Sequence, residues 1–445
     1  MRIAASIAVA LGCLLLWLTP VVQAEGEAEG TGEAKGEADA SGEAKGEPTE
    51  PARPMPVFDV TYDARLVASE KSVHVTIRLG SNASPVEWLR FRVDPMRYRA
   101  FEAEGELIEI EGGWEWRPPR GGGELSYIFS IEHLRGDNTY DSRSTKTWAI
   151  FRGEDLVPRV RIRTVPIARS DSRLRLRLPE GWTAALPYRR TATGVYDLSE
   201  PRTRFDRPSG WFAFGRLGIV RETIEDVRVA IAGPAGQGIR RMDLLALLSW
   251  TLPSIREVFE TLPKRLLVVS AGDPMWRGGL SGPRSVYLHA DRPLIELDST
   301  SPMLHEVMHS FMRARAGEDG DWVVEGLAEL YSVSLLRRSG TLSERRYESA
   351  LDGLRERARD AGPLRAPSVD GDTRAQAAIV LLELDEMIRE ATTGERNLDH
   401  VVRRLARQRE AITTDLFQRL AQEEAGRDLQ AFFDRHAPPP PKKAR

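Results

Sequence analysis

The sequence contains one cysteine, Cys13, which lies in the apolar run near the amino terminus. One cysteine excludes an intramolecular disulfide and a cysteine-rich zinc site. If the chain is cleaved after Ala24, no cysteine is left. A metal site would then have to use histidine, aspartate or glutamate, and only seven histidines occur among the 445 residues.

A dense basic stripe with interleaved aromatic residues is also missing, and such a stripe is typical of nucleic-acid-binding surfaces. The net charge of −3 is the sum of +1 for residues 1–24, −7 for residues 25–50 and +3 for residues 51–445. A nearly neutral body with scattered arginines gives no reason to expect a nucleic-acid partner.

The first 24 residues predict a cleaved secretory signal. Arg2 precedes the apolar run, and Val22 and Ala24 are the small residues expected before a cleavage site. The run is short for a membrane span, so we expect an exported protein, periplasmic or secreted, with no stable membrane insertion after cleavage. An uncleaved anchor and lipidation of Cys13 are the alternatives.

Residues 25–55 predict a disordered acidic linker. The segment up to residue 50 has nine acidic residues, two lysines and no aromatic residue, so it has too little apolar surface to fold. The proline-rich segment 438–445 predicts a disordered tail.

Between these segments, the sequence predicts a multidomain α+β protein. Residues 56–233 alternate apolar and polar positions, as in Phe58, Val60 and Tyr62, and indicate an N-terminal β-sandwich-like domain. Residues 234–437 contain two short apolar strands and a series of amphipathic helical segments, which indicate a mostly helical second domain.

The segment "HEVMH" carries the strongest chemical signal. Ser301 and Pro302 predict a helix start, and residues four apart share a helical face, so His305 and His309 would present both imidazoles to one ion. Glu306 lies beside them and would act as the general base. Two exposed histidines on an ordinary helix are the alternative interpretation.

A third ligand is expected on another element. Glu325 lies 16 residues after His309, which leaves room for the first helix to end and a second helix, from about residue 322 to 336, to return. Two histidines and one glutamate would hold a single Zn²⁺ with an open position for water. The expected reaction is hydrolysis of a peptide or protein substrate.

"HEVMH" followed by "WVVEGLAELY" resembles the gluzincin zinc metallopeptidases, and the spacing resembles their glycyl aminopeptidase-like branch. This resemblance implies a thermolysin-like catalytic domain in residues 234–437. It also implies that Glu329 orients a histidine ligand, although an exposed helix carboxylate is an equal alternative. The segment "GGLSGPRSVYLHA" would be the substrate-binding loop and strand, with contacts from Gly278, Gly279, Ser285 and Tyr287.

The sequence departs from the family at the helix "DGDTRAQAAIVLL", which usually begins with a tyrosine that donates to the oxyanion. Tyr347, Tyr331 and Arg374 are the possible substitutes. An aminopeptidase would also need a carboxylate for the substrate amine, for which Glu296 and Glu329 are options, so the choice between aminopeptidase and endopeptidase stays open. The alternative function is a zinc-stabilised peptide- or protein-binding protein with little or no activity.

Overall fold

Alternating apolar side chains form the strands of the first half of the chain, as the sequence predicts. In the computed structural model, which describes residues 55–199 and 203–439, Phe58, Val60 and Tyr62 are fully buried on one face of the first strand. The predicted signal segment, nearly all of the predicted linker and most of the predicted tail lie outside the described residues.

The first half of the chain contains sixteen described strands, one short α-helix and a 3-10 turn at Ala68–Glu70. The strands and the α-helix are β1 (Val57–Val67), β2 (Ser72–Leu79), β3 (Val86–Arg92), β4 (Tyr98–Ala103), β5 (Glu106–Ile110), β6 (Gly113–Arg117), β7 (Gly123–Ser130), β8 (His133–Gly136), β9 (Thr139–Ser144), β10 (Trp148–Arg152), α1 (Gly153–Leu156), β11 (Arg159–Thr164), β12 (Arg169–Arg177), β13 (Thr183–Ala185), β14 (Arg189–Arg190), β15 (Tyr196–Asp197) and β16 (Trp211–Gly215).

These strands form three sheets around one aromatic-rich core. The strand orders are β14-β15-β12-β1-β2-β7-β4, β13-β16-β10-β9-β8 and β11-β3-β6-β5. Phe129 from the first sheet, Phe151 and Phe214 from the second, and Trp116 from the third are buried in the same cluster. The inward faces of the sheets are therefore packed against one another, which is the sandwich-like arrangement expected from the period of two.

The second half combines one mixed sheet with eight described α-helices. Its elements are β17 (Leu217–Ile224), β18 (Val227–Pro234), α2 (Arg241–Phe259), β19 (Arg265–Ala271), β20 (Gly279–Gly282), β21 (Ser285–His289), α3 (Pro302–Met312), α4 (Asp321–Arg338), α5 (Glu344–Arg357), α6 (Gly371–Ala391), α7 (Leu398–Arg407), α8 (Thr414–Ala425) and α9 (Gln430–His436). The fold is therefore mixed α+β, with a β-rich first part and a mostly helical second part, as predicted.

The mixed sheet has the strand order β17-β18-β19-β21-β20. Strand β18 pairs with β19 in parallel and β20 pairs with β21 antiparallel, and β17 and β20 are the two edge strands among the described residues. The predicted domain boundary at residue 233 falls at the end of β18, and the sheet therefore takes strands from both sides of it. No helix in the described part of the chain is long and apolar enough to span a membrane.

Helices α4 and α6 cross at very short distance because their contact residues are small. A Cβ atom added to Gly326 on α4 would lie 2.6 Å from the Cβ of Ala377 on α6 and 3.0 Å from a methyl carbon of Leu381. Gly326 directly follows Glu325, so this close crossing also fixes the part of α4 that carries the predicted third ligand.

We predict that Gly326→Ala destabilises the protein, whereas Gly353→Ala on α5 stabilises it. Both substitutions favour the helix by about 0.5–1 kcal/mol, but Gly353 has open space around the new Cβ and Gly326 does not. Overpacking at Gly326 should cost about 1–3 kcal/mol. Denaturant unfolding of both variants measures the difference, and equal shifts would show that α6 can move away at no cost.

Candidate metal centre

Helix α3 places both histidines of "HEVMH" on the face that contacts α4. The helix begins as predicted, with Ser301 as N-cap accepting a hydrogen bond from the Leu304 amide and with Pro302 in the first turn. The Ser301 hydroxyl also donates to the carbonyl of Leu294 at 2.7 Å. His305 is buried, and the ring centroids of His305 and His309 lie 4.8 Å apart.

Helix α4 is fixed at its first turn by Trp322. The fully buried indole donates to the hydroxyl of Thr414 at 2.9 Å and packs edge-on against Phe417 of α8. The loop before α4 is tied to the same region, because the Gly317 amide donates to the Ile412 carbonyl at 2.7 Å. These contacts determine how α4 presents Glu325 to α3.

Side-chain donor atoms from three residues converge between the two helices. His305 Nε2 lies 3.1 Å from His309 Nε2 and 3.5 Å from Glu325 Oε2, and His309 Nε2 lies 3.4 Å from Glu325 Oε1. Ligands about 2.05 Å from a tetrahedral Zn²⁺ lie about 3.3 Å from one another. Donor type and spacing therefore both fit a zinc ion with three protein ligands, and these residues form the one group of this kind found in the described residues.

The other ring nitrogen of His305 is held by Glu329. His305 Nδ1 lies 3.4 Å from Glu329 Oε2, and the second carboxylate oxygen, Oε1, accepts from Arg357 of α5 at 3.1 Å. Arg357 also lies 3.5 Å from Asp298. A proton on Nδ1 leaves the Nε2 lone pair directed at the centre, which is the usual arrangement of a metal-bound histidine. Glu329 is buried and is not the exposed carboxylate of the alternative interpretation.

The charges around the centre favour a cation. Burial lowers the pKa of His305, but Glu325 and Glu329 outweigh this effect and raise it to about 10. Burial also raises the pKa of Glu325, whereas His309, His305 and Arg374 hold it well below its usual range. Burial keeps the pKa of His309 low. The pocket thus stabilises one positive charge at His305, and a metal ion would replace that proton.

Glu306 is seated against the edge strand of the mixed sheet. A Cβ on Gly279 would lie 2.6 Å from Glu306 Cγ and 3.0 Å from Glu306 Oε1, so only glycine leaves room for the carboxylate here. Glu306 is adjacent to His305 on α3, and it is partly exposed. Its carboxylate is therefore held next to the backbone of β20.

The four predicted substrate-binding residues are not all close to this centre. Gly279 begins β20 and contacts Glu306, and Gly278 directly precedes it and packs against Trp276. Ser285 is buried, and its hydroxyl accepts from the Trp211 amide at 2.7 Å. Tyr287 is also buried, and its hydroxyl donates to the carbonyls of Trp276 and Ala271. Ser285 and Tyr287 thus join β21 to neighbouring backbone, and of the four residues Gly279 is the one shown in contact with Glu306.

Of the three predicted oxyanion donors, only Arg374 is brought to the centre. Arg374 Nε lies 3.4 Å from Glu325 Oε2. Tyr331 is fully buried, and its hydroxyl donates to Asp399 at 2.5 Å. Tyr347 lines a cavity with Tyr331 on the other side of α4. Both tyrosines therefore lie away from the ligands.

The two carboxylates considered for a substrate amine already have partners. Glu296 lies 3.0 Å from the Arg292 guanidinium, within its own loop. Glu329 lies beneath His305 and Arg357. Arg357 was not predicted from the sequence, because it lies 28 residues beyond Glu329 on another helix and no spacing rule connects the two.

Comparison with known proteins identifies the class of fold. No protein-family model and no curated protein matches the sequence, but solved structures match the fold. An aminopeptidase N family protein from Idiomarina loihiensis has a TM-score of 0.64 at 15% identity, over 85% of this chain and 76% of that chain.

An M1 zinc metallopeptidase from Deinococcus radiodurans has a TM-score of 0.55 at 16% identity, over 88% of this chain and 96% of that chain. A mutant of it bound to a Tyr-Ser-Ala substrate has a TM-score of 0.58 at 14% identity, over 87% and 95%. At such low identity the likeness is one of fold. The chain therefore has a fold similar to that of the M1 zinc metallopeptidases.

We predict that zinc binding at pH 7 releases about one proton per ion. With a pKa of about 10, His305 is protonated at pH 7 in the metal-free protein, and it must lose that proton to bind the metal. His309, whose pKa is lowered, adds no proton. Zinc affinity should therefore fall about tenfold for each unit by which the pH decreases. Calorimetry in buffers of different ionisation enthalpy measures the number of protons released. A heat of binding that does not depend on the buffer would contradict a protonated His305 in the metal-free protein.

We predict that Glu329→Gln weakens zinc binding by about 10–100-fold, because Gln cannot supply the negative charge that fixes the His305 ring. Glu348→Gln, on an exposed position of α5, is the control and should leave the affinity unchanged. Competition with a chromogenic chelator measures both constants. Equal affinities in the two variants would mean that Glu329 does not act on the centre.

Proposed function

We propose that the protein is an exported zinc-dependent metallopeptidase of the gluzincin type that hydrolyses peptide bonds. His305, His309 and Glu325 would bind one Zn²⁺, and Glu306 would be the general base. The observation that carries this proposal is the convergence of donor atoms from three residues: the two Nε2 atoms lie 3.1 Å apart, and each lies 3.4–3.5 Å from one oxygen of Glu325. The glycyl aminopeptidase-like branch remains the family branch that the motifs favour.

The residues around the centre would divide the chemistry among them. Zinc, when bound, would polarise the substrate carbonyl and make the attacking water more acidic. Glu306 would accept the proton of that water and deliver it to the leaving amine. Glu329 would keep the His305 ring in place, and Arg374 supplies a positive charge next to Glu325 that could stabilise the developing oxyanion.

The edge strand β20 provides a place for an extended peptide. His289 donates its amide to the Gly278 carbonyl, and hydrogen-bonded pairs alternate along the antiparallel β20–β21 ladder. The backbone groups of Gly279 and Ser281 therefore point away from β21. The Ser281 carbonyl accepts from Arg152 at 3.1 Å. Peptide pairing would accordingly centre on Gly279, directly beside Glu306.

A second candidate function is a zinc-stabilised binding protein with weak or no activity. The observation that favours it is the position of Tyr331 and Tyr347, which both lie away from the ligands and leave Arg374 as the remaining predicted donor. Loss of an oxyanion donor typically costs about 10²–10³ in rate. The two functions differ in whether peptide is cleaved, and the substitution at Glu306 separates them.

We predict that Glu306→Gln lowers peptide cleavage by about 10²–10⁴-fold while zinc stays bound, because Gln preserves the shape of the side chain but cannot accept a proton. The measurement is cleavage of a mixed peptide pool by the zinc-loaded protein, read by mass spectrometry, with metal content determined on the same samples.

Chelation should abolish wild-type cleavage, and added zinc should restore it. A zinc-loaded wild-type protein that cleaves no peptide in the pool would favour the binding protein. The position of the cleaved bonds would also decide between aminopeptidase and endopeptidase activity.

A further inference from the structure

The β8–β9 hairpin of the first half of the chain extends the loop that leads into β20. The Tyr140 amide donates to the Pro274 carbonyl at 3.0 Å, and the Trp276 amide donates to the Tyr140 carbonyl at 2.8 Å. The hairpin and the residues before Gly279 thus form one backbone-paired unit. Side chains on the hairpin are thereby held at the same edge as Glu306.

Arg135 lies in β8, next to the tip of this hairpin, and its side chain packs on Trp276. Its guanidinium carbon lies 5.1 Å from the centroid of the Trp276 ring. Trp276 in turn covers Gly278, where an added Cβ would lie 2.4 Å from the indole nitrogen, and Gly279 contacts Glu306. Burial lowers the pKa of Arg135, and Asp141 and Glu306 counteract this effect. Arg135 therefore packs through Trp276 against the Gly278–Gly279 segment, and Gly279 contacts Glu306.

Arg152, at the end of β10, provides a second positive charge at the same edge. It donates to the Ser281 carbonyl of β20 at 3.1 Å, and its guanidinium carbon lies 4.8 Å from the centroid of the Trp211 ring. In residues 55–199 and 203–439, these are its contacts, and no carboxylate lies within 4.0 Å of its guanidinium. The Arg152 guanidinium is therefore held by a carbonyl and an aromatic face, neither of which neutralises it.

One carboxylate, Asp141, acts on both arginines, but its closest partner is His133. Asp141 lies 2.7 Å from His133 Nδ1 and 3.9 Å from Arg135 Nη1. Burial raises the pKa of Asp141, whereas His133, Arg152 and Arg135 lower it. Asp141 is shared by His133 and Arg135, and Arg152 contacts a carbonyl and an aromatic ring, so the Arg152 guanidinium at this edge has no carboxylate in contact with it among the described residues. An unneutralised guanidinium in a partly buried wall is most stable when an anion binds to it.

We propose that Arg135 and Arg152 bind a carboxylate of the substrate beside Glu306, so that the protein selects acidic peptides. This proposal rests on the proposed peptidase function and assigns its substrate class. The carboxylate has two sources, an Asp or Glu side chain or the free carboxyl terminus of a short peptide. Both sources present the same group to a guanidinium. Amidation of the terminus distinguishes them, because it removes binding only if the free carboxyl terminus is the ligand.

The test measures binding separately from cleavage. Fluorescent peptides with N-methylated bonds, which resist hydrolysis, are titrated with the zinc-loaded full chain, and fluorescence polarisation reports the Kd. One peptide has an acidic side chain and an amidated terminus, one has a neutral side chain and a free terminus, and one is neutral and amidated. We expect one of the first two to bind roughly tenfold or more tightly than the third, because charge-assisted hydrogen bonds are the strong ones. The tighter of the two identifies the source.

Arg135→Gln should remove this preference, Arg135→Lys should keep most of it, and Arg135→Glu should reverse it in favour of a lysine-containing peptide. Arg163→Gln is the matched control, because Arg163 forms an exposed ion pair with Glu87 at 2.8 Å on another sheet, and it should leave the preference unchanged.

Equal affinity of the wild type for all three peptides, or an Arg135→Glu variant with unchanged preference, would overturn the proposal. Since binding is measured with uncleavable peptides, these outcomes stand whether or not the protein is a peptidase. Acidic-peptide binding without cleavage of any peptide would support the carboxylate site and reject the peptidase function.

Discussion

The convergence of two imidazole nitrogens and one carboxylate is the constraint on which the rest of the structure depends. Donor atoms held 3.1–3.5 Å apart repel one another through their lone pairs unless a proton or a cation lies among them. The surrounding contacts keep them together. Ser301 starts α3, Trp322 anchors the first turn of α4, and the close approach at Gly326 presses α4 against α6.

The charges next to this centre form a connected set. Glu329 and Arg357 act on His305 from one side, and Arg374 acts on Glu325 from another. On the side of β20, Glu306 lies against Gly279. The hairpin that carries Arg135 comes from the first half of the chain and pairs through its backbone with the loop before β20. The β-rich part therefore contacts the segment that lies next to Glu306.

Local spacing allowed much of the centre to be predicted. His305 and His309 are four residues apart on one helix, and Glu329 is four residues beyond Glu325, which puts each pair on one face. The same rule argues against Tyr331, which lies six residues after Glu325 and therefore about 240° around the helix from it. Arg357 and Arg135 could not be predicted, since they reach the site from elements with no sequence relation to it. Strands β18 and β19 pair in one sheet across the predicted domain boundary. The periodicity of the sequence indicates strands but does not say which strands pair.

The most direct test of this account is X-ray absorption spectroscopy at the zinc edge on the purified, zinc-loaded protein. It should show a first shell of nitrogen and oxygen at about 2.0–2.1 Å, with the outer-shell scattering of two imidazoles. His309→Ala should reduce that imidazole scattering by half. A first shell with no imidazole scattering, or with oxygen ligands alone, would contradict a centre formed by His305, His309 and Glu325.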